Sequence, residues 1–142
     1  MRKLAAVGFA LLCLGGGGCD GDDCGTCADG FFVRFGVVSG ESGLWRVTVD
    51  VDGLVASCTV DRPRLAERVV ACSDPAVTLS IGADETLDTL RIAGTPERVE
   101  VVVERDAAEL ARRIFEPEYD DVRTAAACPV ACRQASGAIT IE

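Results

Sequence analysis

The sequence contains no histidine. That excludes the histidine-activated serine and cysteine nucleophiles, and the histidine-ligated zinc sites, of common hydrolases. Lysine is nearly absent: Lys3 is the only one, so every other basic side chain is an arginine. Aromatic residues are scarce at 5%, with one tryptophan, Trp45, and one tyrosine, Tyr119. The apolar run from Leu4 to Leu14 is too short to cross a bilayer, which takes about 20 residues as a helix. Positive charge is also in deficit. A net charge of −9 argues against nucleic acid, which binds through basic patches, and against electrostatic adhesion to an anionic membrane surface. No long internal repeat is visible. The only glycine run, Gly15 to Gly18, follows the apolar stretch and is no phosphate-binding loop.

What is present begins with Met1-Arg2-Lys3, then the short apolar run, then small residues. This is the pattern of a secretory signal. Four glycines are a poor continuation of any helix, since each costs roughly 1 kcal/mol against alanine. Gly16-Gly17-Gly18-Cys19 resembles the lipobox of bacterial lipoproteins, departing from it at Gly16, where an aliphatic residue is usual. The resemblance implies that residues 1–18 are removed, that Cys19 is acylated, and that the lipid holds the protein on the cell envelope, facing the periplasm or the exterior.

Cysteine parity points the same way. Of eight cysteines, Cys13 leaves with the signal and Cys19 takes the lipid. Cys24, Cys27, Cys58, Cys72, Cys128 and Cys132 remain, an even set that can pair completely in an oxidising compartment. Losing Arg2 and Lys3 makes the body still more acidic. Residues 19–30 are polar and glycine-rich and read as an acidic tether. Residues 31–142 are of single-domain size.

The most legible part of that body is "LWRVTVDVDGLVASCTV". Trp45, Val47, Val49 and Val51 alternate with polar residues up to Asp52-Gly53. Alternation then resumes with Leu54, Ala56, Cys58 and Val60. Period-two alternation around Asp-Gly predicts a hairpin with a two-residue turn. Residue 45 then faces 60, 47 faces 58 and 49 faces 56, so both apolar sets share one face. Further strands are expected at 68–72, 76–81, 89–93, 98–104 and near the final "GAITIE", separated by turn-forming residues. Short strands at this spacing predict an all-β, antiparallel β-sandwich.

Residues 107–115 carry conflicting signals. Ala107, Leu110, Ala111 and Ile114 fall at helical spacing, but following "VEVVVERD" in a β-rich chain the segment is expected as a hairpin partner strand. The layout V-x-V-V-V-E-R-D, F-x-P-x-Y and C-P-x-x-C resembles small immunoglobulin-like or carboxypeptidase-regulatory-like β-sandwich domains of bacterial lipoproteins. That resemblance implies an immunoglobulin-like sandwich.

Cys58 and Cys72 are expected to form a disulfide. If strand 54–60 turned back directly into 67–72, residue 58 would face 72 at a spacing a disulfide accepts. Cys24-x-x-Cys27 and Cys128-x-x-x-Cys132 also read as disulfide cysteines, either paired with each other or each closed locally. Two alternatives use the same residues: a thiol–disulfide redox centre at Cys24 and Cys27, and a zinc site of Cys24, Cys27, Cys128 and Cys132. The carboxylates Glu116, Glu118, Asp120 and Asp121 read as a solvated loop around Pro117. A calcium loop starting at Asp20 would place its closing glutamate where Phe31 stands. The expectation is a non-enzymatic binding or structural module without metal or cofactor, held at a membrane by lipid, with a protein or glycan ligand.

Overall fold

The structure is a computed structural model that describes residues 27–37, 42–62, 69–82, 86–123, 128 and 131–141. The signal, the lipidation expected at Cys19 and the expected disulfide cysteine Cys24 lie outside the described residues.

Among the described residues every regular element is a strand. These are β1 (Gly30–Val37), β2 (Gly43–Val51), β3 (Leu54–Arg62), β4 (Val69–Ala71), β5 (Val77–Ile81), β6 (Leu87–Ala93), β7 (Val99–Arg105), β8 (Ala108–Phe115), β9 (Asp120–Val122) and β10 (Cys132–Ile141). They form a six-stranded sheet of order β4-β5-β6-β1-β10-β9 and a four-stranded sheet of order β3-β2-β7-β8. All of these strands belong to one compact unit, Ala28–Val122 with Cys132–Glu142. The described residues of a second unit are Cys27, Arg123, Cys128 and Ala131. There the Arg123 guanidinium donates to the Cys128 carbonyl at 2.7 Å.

The expected sandwich is present. Alternation sends Trp45, Val47 and Val49 of β2, and Val99, Val101 and Val103 of β7, into the core. From the other sheet come Phe31, Val33 and Phe35 of β1, with Leu79, Leu90 and Ile92 of β5 and β6. Each such side chain stabilises the fold by about 1.5–3 kcal/mol when fully withdrawn from water. The β2–β3 register is Trp45↔Val60, Val47↔Cys58 and Val49↔Ala56, as the two-residue turn demands.

Asp52 and Gly53 both have positive φ, 50° and 89°, the signature of a type I′ turn. The β7–β8 turn repeats it with Asp106 at φ 49° and Ala107 at φ 67°. Each aspartate also extends the central β2–β7 ladder by one rung. Asp52 N–H donates to Arg98 O at 3.0 Å, and its carboxylate accepts from Arg98 N–H at 2.8 Å. Asp106 N–H donates to Leu44 O at 2.9 Å, and its carboxylate accepts from Leu44 N–H at 2.9 Å. Gly43 makes room for this, because a Cβ there would lie 2.8 Å from Asp106 Oδ2.

Residues 108–115 are a strand, as context predicted. A register shift between Val103/Glu104 marks a bulge in β8 that leaves Leu110 unpaired, so the adjacent Leu110 and Ala111 both pack against the core. That accounts for the adjacent pair in the helical spacing; Ala107 and Ile114, which complete it, are exposed.

Two arrangements differ from the expectation. The sandwich is not wholly antiparallel: β1 and β10 pair in parallel, from Gly30↔Gln134 to Val37↔Ile141. Nor do β3 and β4 form a hairpin, since they lie in different sheets. Cys58 and Cys72 are nonetheless disulfide-bonded, with Cα atoms 4.3 Å apart. The bond joins an inward side chain of edge strand β3 to the chain just past edge strand β4. Beside it, Ser73 N–H donates to Ser57 O and Ser57 N–H donates to Ser73 Oγ, both at 2.9 Å. The expected hairpin fails because Val70 belongs with Leu79 of β5, on the opposite layer.

Two outcomes follow. Replacing Cys58 and Cys72 together by alanine removes a bond across 14 residues and lowers stability by about 3 kcal/mol, read from urea unfolding. Ala107→Gly raises it by about 0.5–1 kcal/mol, because alanine is strained at positive φ; an unchanged or lower urea midpoint contradicts the turn assignment.

Candidate functional site

A cleft opens where the chain passes from β8 to β9. Pro117 offers no N–H for a ladder and holds the residue before it extended. After Phe115 the chain therefore leaves the four-stranded sheet, runs through residues 116–119 and enters the six-stranded sheet as β9. In an extended segment alternate side chains share one side. Glu116, Glu118 and Asp120 accordingly all line the cleft, which measures about 980 Å³.

Tyr119, out of step with those carboxylates, packs against the core. Its hydroxyl donates to Pro96 O at 2.7 Å, and the Arg133 guanidinium lies 5.5 Å from its ring centre. Partial burial, with a smaller contribution from the Asp52 carboxylate, pushes the phenol up to about 12; Arg133 opposes the rise.

The floor is apolar. Phe115 meets Phe31 edge-on, with ring centres 5.3 Å apart. Gly137 is what lets Phe115 settle there, since a Cβ at that position would come within 2.6 Å of the ring. Arg113 lies 4.9 Å from the Phe115 ring centre and donates to the carbonyl of Ala138. The facing wall consists of Phe32 and Arg34 of β1 and Thr89 of β6, with Gln134 and Ser136 of β10. Arg34 and Thr89 are direct cross-strand partners.

One strand edge is open in this cleft. β9 pairs only with Cys132, Arg133 and Gln134, so among the described residues β10 has no paired strand on that side beyond Gln134, although Phe115 and Arg113 of β8 lie against Gly137 and Ala138. In a strand inside a parallel pair, successive residues point their N–H and C=O to opposite sides. Arg133 N–H turns toward the chain leading into β1, donating to Asp29 Oδ1 at 2.7 Å. Ala138 O turns the other way, to Arg113. Ser136 is in step with Ala138, so its N–H and C=O face the cleft.

Of the cysteines singled out in the sequence, Cys27, Cys58, Cys72, Cys128 and Cys132 do not line this cleft. Cys27, Cys128 and Cys132 are disulfide-bonded, as are Cys58 and Cys72. The carboxylates Glu116, Glu118 and Asp120, read from the sequence as a solvated loop, do line it. Phe32, Arg34 and Ser136 were not anticipated. For Phe32 the available signal was an aromatic side chain at an outward position of "FFVRF". No family model, curated protein or solved structure matches the chain.

Tyr119 is the only tyrosine, so phenolate absorbance reports it alone. A phenol that holds its proton more tightly when folded contributes stability that is complete below its unfolded value near 10. That contribution is lost as pH rises from there through about 12. We expect ionisation of the folded protein to be delayed to about pH 12 and to return to roughly 10 in denaturant. Coincident curves contradict the packing of Tyr119.

Proposed function

We propose that the protein is an exported, lipid-anchored module of a bacterial cell envelope that binds a protein ligand without catalysing a reaction. The cleft between residues 116–120 and β10 carries this reading. It combines an apolar floor, side chains of both charges and an open strand edge, features that hold a ligand by shape, charge and backbone hydrogen bonds. Export is supported by the oxidised cysteines, which persist outside a reducing cytosol. The membrane is reached through acylated Cys19 and the acidic tether.

The strand order favours an immunoglobulin-like relationship. β1-β6-β5 facing β3-β2-β7-β8 follows the B-E-D and C′-C-F-G order of that fold. The place of strand A is taken by β10, which runs parallel to β1. Loops and edges of such sandwiches commonly carry recognition, an analogy of fold that by itself names no ligand.

The intact mass of protein from the membrane fraction tests the anchor. The expected species begins at Cys19, carries acyl chains, and takes up alkylating agent at its remaining cysteines only after reduction. A chain without lipid, or with thiols reactive before reduction, contradicts the reading.

A further inference from the structure

We propose that the cleft takes an extended basic segment of a partner polypeptide, added as a strand beside β10. The segment's backbone bonds Ser136, and its alternate lysine or arginine side chains meet Glu116, Glu118 and Asp120. This deepens the binding-module reading and rests on it.

The first ground is the ladder. β9 supplies rungs to Cys132 and Gln134 and then stops. The next outward-facing pair of backbone groups, at Ser136, opens into the cleft without a paired strand among the described residues. An unpaired edge of this kind is a template for strand addition. Arg113 holds the Ala138 carbonyl, which ends the open stretch and blunts the edge beyond it.

The second ground is spacing. Side chains on one side of an extended segment recur every 6.5–7 Å or so. Glu116, Glu118 and Asp120 follow that same period because their own segment is extended, and all three line the cleft. A partner strand lying alongside presents its alternate side chains in step with them. Sign decides the partner's chemistry: three carboxylates in a row select cations. Arg34 lies on the opposite wall, and Arg113 is already engaged with Ala138.

The third ground is the long-range field. A chain of net charge −9 attracts basic polypeptides from a distance. It also repels a second copy of itself, which argues against the same edge closing a homodimer. A short loop or a globular surface matches neither the open rung nor the period.

The test uses the oxidised full-length mature protein and three capped peptides. One alternates lysine with valine or threonine over seven residues. The second has glutamate for lysine. The third is the lysine peptide with N-methyl groups on alternate amides, so that it cannot pair. Calorimetry at low salt and amide chemical shifts of Ser136 report binding. Saturable binding of the lysine peptide is expected, at least about tenfold tighter than the glutamate and N-methylated peptides. A Glu116→Gln/Glu118→Gln variant with an unchanged far-UV spectrum should bind it about fivefold or more weakly, and the Ser136 amide should shift.

Absence of saturable binding up to millimolar peptide overturns the proposal. Equal binding of the N-methylated peptide leaves charge attraction without strand addition and overturns it too. An unchanged affinity in the double variant places the site elsewhere. Self-association that the peptide does not displace assigns the edge to a second copy instead. None of these results depends on acylation at Cys19, so failure here leaves the anchoring reading standing.

Discussion

The structure depends on one apolar layer pressed between two sheets. Strict alternation along β2, β7 and β1 supplies that layer and fixes which backbone face is inside. A layer of this kind has open sides, and the two sides are treated differently. On one, Cys58 and Cys72 join the edges of both sheets covalently, with Ser57 and Ser73 bonded alongside. On the other, closure is by fit: Phe115 rests where Gly137 has no side chain, and Arg113 reaches across to Ala138. On the sealed side the disulfide and the Ser57–Ser73 bonds tie the two edge strands together at one point. The fitted side leaves a gap one rung long, and the cleft is that gap.

The centre of the four-stranded sheet is locked from both ends. Asp52 and Asp106 each occupy the first position of a I′ turn, and each uses both its backbone N–H and its carboxylate on the neighbouring strand. One residue type therefore does two jobs: it tolerates positive φ and it terminates a ladder with charge-assisted bonds. The Asp52 turn also gives Tyr119 a nearby negative charge. A contact that positions the segment 116–120 thus senses a turn that belongs to another hairpin.

Legibility in the sequence followed the range of the interaction. The β2–β3 hairpin could be read residue by residue, because turn chemistry and alternation are both local. The 107–115 strand could be read only from context, because the bulge places Leu110 and Ala111 side by side in the core and imitates a helix. The strand β9 and the first half of β10 carry "DDV" and "CRQASG", with no apolar alternation to announce them; tertiary pairing alone makes them strands. The Cys58–Cys72 bond was anticipated through a hairpin that does not form, since a sequence shows that two cysteines are near but not in which layers. At the cleft, the carboxylates were visible as charges and Pro117 as a break. Their convergence with Ser136 was not visible, because it joins segments brought together by the pairing of β9 with β10, and β10 is in turn placed by its parallel pairing with β1.

That parallel pairing has a kinetic consequence. Among the described strands β1 is the first made and lies between β6 and β10, yet β10 is the last. Until it arrives, the middle of the larger sheet is an exposed, half-finished edge. Contacts so distant along the chain are slow to close. A chain from which residues 132–141 have not yet emerged therefore cannot complete this sheet. For an exported protein, as we propose, such a delay is an asset: the larger sheet cannot lock before β10 is available, so the chain stays open while it is being moved.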